Sequence, residues 1–342
     1  VVKLIEVAIF SDAHYASENT RKVEDESFFP LIVEKLSSEK KKEDYVKKWC
    51  FLMQKAFGRF LEKAKLGSFD MIISLGDNIS GALPGGPVTQ EIQAEWREYK
   101  KLIADTFPKI SKESAKYLWG GHDIKFGDML TDLHGLKGGE MTKKSFEAAE
   151  KFIGNPWFCK KMEKFMLLGL NSEIIYSSIE KINPDQEFFI EKAKEQEKFI
   201  QEYLENASKN NNKVILLIHD PVQLKELQEI LEPHKKNIVL VLAGHIHSPA
   251  VWKIYCLLSK IVKIFKIRIE TPQQITPKQK VIKSVIQEMA EIYPIIQSYN
   301  IKIVPAIWGQ MPLARQQRII GRGGYAILTL NNGQFSLKRY KL

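Results

Sequence analysis

A layered α/β fold, with its site along one sheet edge, is predicted by three observations. Short apolar runs recur at 2–10, 69–75, 115–119, 214–218 and 238–243. They are continuous rather than alternating, which is the pattern of strands buried on both faces. Longer, charged stretches with apolar residues at helical spacing lie between them, at 44–65, 89–107, 142–153 and 186–209. Each apolar run also stops at residues able to do chemistry. Strands alternating with helices, and polar groups gathered at the strands' carboxyl ends, describe such a layered domain.

The first run leads into Ser11-Asp12-Ala13-His14 and the second into Gly76-Asp77-Asn78. The third ends in Gly120-Gly121-His122-Asp123, the fourth in His219-Asp220-Pro221, and the fifth in Gly244-His245-Ile246-His247. In the stretch 186–209, Phe188, Phe189, Ala193, Phe199, Ile200 and Leu204 share one side within a charged coat, so it reads as an amphipathic helix. Near the end, 324–330 and 334–342 flank Asn331-Asn332-Gly333, a hairpin signature because Asn and Gly tolerate positive φ. The segment 252–269 supports two readings. One is an amphipathic basic element for a membrane surface or a lipid tail, with Trp252, Tyr255 and Phe265 at the apolar boundary. The other is a pair of core strands whose lysines face water. A helical pattern follows at 277–292, then a stretch punctuated by Pro294, Pro305 and Pro312. The chain thus divides into a core at 1–250, an insert or cap at 251–322, and a closing hairpin at 323–342.

The composition excludes a disordered chain and a bundle of membrane spans: 44% of the 342 residues are hydrophobic and 27% charged. The formal net charge of +10 is unevenly placed. Residues 251–342 hold 15 Lys and Arg against three acids, Glu270, Glu288 and Glu291, so the basic excess marks one surface. Three cysteines without CxxC spacing argue against a disulfide framework and fit a reducing, cytoplasmic setting.

Five of the seven histidines stand in the strand-end motifs, with His134 and His234 outside them. In an extended segment, Asp12 and His14 point to one face, and His245 and His247 repeat that spacing. Asp12, His14, Asp77, His219, His245 and His247 form a carboxylate and imidazole set suited to manganese, iron, zinc or similar ions. Six such side chains exceed one tetrahedral site and fit two metals sharing a carboxylate, about 3.5–4 Å apart, the arrangement that clamps oxygens in displacement at phosphorus.

The motifs D-x-H at Asp12–His14, G-D at Gly76–Asp77, a G-N-H-D/E-like Gly120–Asp123, a lone His219 and G-H-x-H at Gly244–His247 occur in order. This series resembles the calcineurin-like metallophosphoesterases, over residues 1 to about 250. The resemblance implies a two-sheet β-sandwich flanked by helices. It also implies two divalent ions, manganese first, with iron, zinc, nickel, cobalt or magnesium as alternatives. Asp12, His14, Asp77 and His247 would hold one ion, and Asp77, His219 and His245 the other. His122 would act as general acid or transition-state stabiliser, oriented by Asp123, while a metal-held hydroxide attacks phosphorus. One position departs from the family: Gly121 stands where an Asn normally ligates the second metal. An engineered substitution, a natural variant with water in that place, and a non-catalytic scaffold would each explain it.

The expected activity is hydrolysis of a phosphodiester or pyrophosphate, with an anionic and in one reading lipid-linked substrate. Gly121, Asn78, His134, Arg315, Arg318 and Arg322 are the substrate-contact candidates, the arginines because guanidinium binds phosphate oxygens bidentately. Some relatives in the family cleave the pyrophosphate of UDP-2,3-diacylglucosamine beneath a hydrophobic basic cap, which 251–322 resembles in kind only. A nuclease of the DNA-repair type, with the basic segment tracking phosphates, is the alternative. The location expected is cytoplasmic, at a membrane surface if 252–269 docks there.

Overall fold

The computed structural model describes residues 4–15, 54–79, 88–124, 141–179, 183–246, 249–264, 277–307 and 323–342. In chain order the elements are β1 (Ile5–Phe10), α1 (54–65), β2 (Met71–Ser74), α2 (Gln90–Thr106), β3 (Ala115–Tyr117) and α3 (Gly121–Ile124). Next come α4 (Lys143–Phe152), β4 (Phe158–Met162), β5 (Phe165–Leu170), α5 (Ser172–Ile179), α6 (Gln186–Lys209), β6 (Lys213–Ile218), α7 (Gln228–Leu231) and β7 (Ile238–Ala243). The last are α8 (Pro249–Ile264), α9 (Pro277–Ser298), β8 (Ile301–Ile303), β9 (Gly324–Asn331) and β10 (Gln334–Lys341).

The strands form two five-stranded sheets, ordered β10-β9-β1-β2-β3 and β4-β5-β6-β7-β8. Strands β1, β2 and β3 run parallel, as do β5, β6, β7 and β8, so their carboxyl ends point one way within each sheet. Period-two alternation then sorts the side chains into three cores. Ile5, Val7 and Ile9 of β1 meet Ile215 and Leu217 of β6 and Leu240 and Leu242 of β7 between the sheets. The intervening Ala8 and Phe10 turn outward under α1, α2 and α4, and Val214, Leu216 and Ile218 turn outward under α6, α8 and α9. Both faces of the central strands are buried, which is why their sequences are unbroken apolar runs. The result is the two-sheet sandwich flanked by helices that the motif series implied.

The hairpin at the C-terminus completes the first sheet, with β9 antiparallel to β1 and β10 beyond it. Three expectations change. The span 251–322 is not wholly an insert, because β8 pairs with β7, and Ala306 then bridges to Ser11 in the other sheet. Among the described residues, α8 and α9 form the excursion between core strands β7 and β8. Residues 252–264 are helical rather than paired strands, and 265–269 lie outside the described residues. The helix beginning at Pro277 continues through Pro294 to Ser298 instead of ending at 292. The hairpin of β4 and β5 had no counterpart in the strand reading, although Phe165–Leu170 is a continuous apolar run, all of it buried. Among the described cysteines, burial raises both thiols, Cys159 to about 11, so neither is a ready thiolate. No helix among the described residues is long and apolar enough to cross a membrane.

Candidate metal centre

The loops leaving β1 and β2 run side by side, joined by backbone bonds from Asp12 N–H to Gly76 C=O and from His14 N–H to Asp77 C=O, each 3.0 Å. Asp12, His14, Asp77 and His245 all adopt positive φ, between 44° and 59°. Left-handed backbone is uncommon in residues other than glycine and is tolerated where the surrounding structure enforces it. Its concentration at four of the predicted ligands marks these strand ends as shaped for their side chains. The extended geometry assumed for Asp12 and His14 is therefore corrected: both lie past the strand, in a left-handed turn.

Asp77 is the hub. Its Oδ1 accepts the His122 backbone N–H at 3.0 Å, while its Oδ2 lies 3.3 Å from His219 Nε2 and 3.9 Å from His14 Nε2. Two groups of mutually close ligand atoms share it: His14, Asp77 and His122, and Asp77, His219 and His245. The His219 Nδ1 faces the Leu75 carbonyl at 2.9 Å. A carbonyl only accepts, so Nδ1 carries a hydrogen and Nε2 is the nitrogen that points into the site. That division of roles is typical of a metal-bound imidazole. His219 Nε2 is buried and makes no aligned hydrogen bond of its own. Burial opposes a charge on that ring, yet the carboxylates of Asp77, then Asp12 and Glu173, pull its pKa up to about 10. Burial likewise works against the Asp77 charge, but His219, His122 and His14 hold its carboxyl well below the usual range. A buried pocket of such negative potential, lined by imidazole nitrogens around a shared carboxylate, fits divalent transition ions.

Two glycines let these groups approach. A Cβ on Gly120 would lie 2.2 Å from Asp77 Oδ1, and one on Gly76, whose φ is +112°, would lie 2.6 Å from His219 Nδ1. The motif glycines are thus spaces for the ligands that follow or face them.

The other candidates fall variously. Asp12 is buried in the same loop and accepts the Ser11 hydroxyl, outside both close groups. His122 is half-buried with its ring edge-on to His14, centroids 4.5 Å apart, so the proposed acid stands at ligand distance. Gly121 is buried at the first position of α3. The Asn78 side chain donates to the Leu118 carbonyl and to Asp123, and accepts from the Tyr99 hydroxyl, all inside the core. Asp123 is also turned elsewhere, accepting from the backbone N–H groups of Gly120, Asn78 and Ile79 as well as the Asn78 amide. It knots the loops after β2 and β3 together, with His122 positioned through the backbone. Burial, reinforced by Asp77, pushes its carboxyl up to about 7, while those donors pull the other way. His247, His134, Arg315, Arg318 and Arg322 lie outside the described residues. Glu173, buried at the start of α5 and felt electrostatically by His219, was missed; its signal is the polar Asn171-Ser172-Glu173 that ends the overlooked run of β5.

Asp123→Ala removes the acceptor of three backbone N–H groups at once. A stability loss of about 3 kcal/mol or more is expected, because buried unsatisfied donors keep their full desolvation cost. Asp123→Asn, which retains one acceptor oxygen, loses less. Urea denaturation of both variants checks the order, and equal stability of Asp123→Ala and the parent contradicts the knot.

The family model for calcineurin-like phosphoesterases matches residues 5–249. A comparison with curated proteins finds no match. Among solved structures, a dimetal phosphatase from Danio rerio is 9% identical and aligns with a TM-score of 0.47, covering 98% of this chain and 98% of its own. With the match spanning β1 to the end of β7 and every described ligand candidate inside it, the chain belongs to the calcineurin-like phosphoesterase family of metal-dependent phosphoric ester hydrolases.

Proposed function

We propose that the protein hydrolyses a phosphodiester or pyrophosphate at a centre of two divalent metal ions, manganese being the first ion to test. The observation that carries this reading is the Asp77 carboxylate standing between two groups of imidazole nitrogens. Bound ions would supply Lewis acidity toward the phosphoryl oxygens and lower the pKa of water. Around them, this chain's residues have separable tasks. His14 and His219 present Nε2 toward Asp77 Oδ2, and His245 completes the second group. The Leu75 carbonyl fixes the tautomer and orientation of His219. His247, from the G-H-x-H motif, is assigned to the first ion with His14, Asp12 and Asp77. His122, half-buried like His245 while His14, Asp77 and His219 are buried, is assigned the role of giving a proton to the leaving oxygen.

The Gly121 position carries a specific expectation. A ligand is missing there relative to the family, so Gly121→Asn should bind the second ion more tightly, by at least about tenfold, as expected when a ligating or supporting group is restored. The test compares parent and Gly121→Asn, each loaded with manganese. The substrates are bis-p-nitrophenyl phosphate, p-nitrophenyl phosphate, a nucleotide pyrophosphate and single-stranded DNA. Hydrolysis of diester or pyrophosphate, with turnover and metal content higher in Gly121→Asn, is the expected result. Hydrolysis of DNA alone identifies the nuclease instead. No hydrolysis by either form, despite full metal content, overturns the reading.

A further inference from the structure

We infer that helix α8 is a docking surface for an anionic phospholipid bilayer. Its inner face is anchored: Trp252, Ser259 and Val262 are buried, and Trp252 stacks on Tyr255 with ring centroids 5.6 Å apart. Its outer face is apolar as well. Ile254, Leu257, Leu258, Ile261 and Ile264 recur at spacings of three and four, so they share one side of the helix. They are between 37% and 59% exposed. The other exposed large hydrophobic residues, Leu4, Leu66, Ile179 and Ile190, are scattered over different parts of the fold, so this ridge is the one place where such side chains gather among the described residues. A contiguous apolar ridge of this kind on a water-soluble surface marks a contact.

Charge selects the occupant. Between Pro249 and Ile264 there is no acid, and Lys253, Lys260 and Lys263 are exposed along one flank of the ridge. Lys253 continues into a cleft of about 380 Å³ whose lining includes Lys302, Arg339, Trp252 and Tyr299. An apolar strip bordered by cations matches a helix lying in the headgroup layer, its Leu and Ile side chains among acyl chains and its lysines at phosphate depth. A second copy of the chain fits less well, because pairing two such faces sets lysine rows together with no acid on either helix. Pro249 follows His245 by four residues, so the helix starts close in the chain to the second group of metal-ligand candidates.

The experiment uses the full chain with vesicles of phosphatidylcholine alone and with about 30% phosphatidylserine, the composition that gives a negative surface potential. Sedimentation with the anionic vesicles is expected, at least tenfold weaker with neutral ones and weakened by high salt. Leu257→Ser/Ile261→Ser should lower partitioning at least tenfold, and so should Lys253→Glu/Lys260→Glu/Lys263→Glu. Hydrolysis of soluble bis-p-nitrophenyl phosphate should be unchanged in both. Absence of binding to anionic vesicles, or binding undiminished in the variants, overturns the inference. So does a parent dimer that Leu257→Ser/Ile261→Ser converts to monomer, since a second copy then covers the ridge. Vesicle binding without any phosphoesterase activity leaves docking standing and removes the proposed reaction.

Discussion

Asp77→Asn is expected to lower turnover by about a thousandfold or more, the equivalent of about 4 kcal/mol in the barrier, and to reduce bound metal at both positions together. The substitution is chosen because it isolates charge. Asp77 sits at φ +49°, and Asn is among the few residues that accept this left-handed conformation readily. An amide oxygen can still receive the His122 backbone N–H that Asp77 Oδ1 now accepts at 3.0 Å. What disappears is the anionic oxygen that lies between His14 Nε2 and His219 Nε2. Elemental analysis of parent and variant after manganese loading gives one readout. The shift of Tm on adding manganese gives a second, because an ion that binds only the folded chain raises its stability. Loss of both ions in Asp77→Asn, together with loss of the manganese-induced rise in Tm, is the outcome expected of a shared ligand. Full metal content with normal turnover would remove Asp77 from the centre.

The parts of the fold legible in the sequence are those whose burial leaves a one-dimensional trace. Strands β6 and β7 are covered on both faces, so each reads as a solid apolar block ending where the chain meets solvent and the candidate site. Helix α6 was placed to its observed ends, Gln186 and Lys209, because one face alone is apolar within a charged coat. Helix α8 resisted for the opposite reason. It is apolar inside, at Trp252 and Val262, and outside, at Leu257 and Ile261, so its period is masked and a strand pair read equally well. In the site, residue identity and order pointed to Asp77 and His219, but which way a neighbour faces is a matter of backbone. Asn78 follows Asp77 directly, yet the positive φ at Asp77 turns the chain so that the next side chain enters the core and clamps Asp123. Adjacency to a ligand in sequence therefore does not fix which way the next side chain turns.

His122→Ala separates the two roles that geometry allows this histidine. Its ring stands with His14 and Asp77 at distances compatible with a ligand, and its partial exposure suits a proton donor. The donor role predicts a fall in turnover of about 10²–10⁴-fold, with metal content unchanged at about two ions per chain, the number a two-metal centre requires. It also predicts a dependence on the leaving group. p-Nitrophenolate departs without needing a proton, whereas an alkoxide must collect one as the bond to phosphorus breaks. The defect of His122→Ala should therefore be small for a p-nitrophenyl ester and large for an alkyl ester of the same acid. A ligand role predicts the reverse pattern: metal content falls, and both esters slow by the same factor, because the loss precedes any difference between leaving groups. Asp123→Asn supplies the control for position. It loosens the loop that carries His122 without removing the imidazole, so it should slow the alkyl ester less than His122→Ala does while retaining the same leaving-group trend.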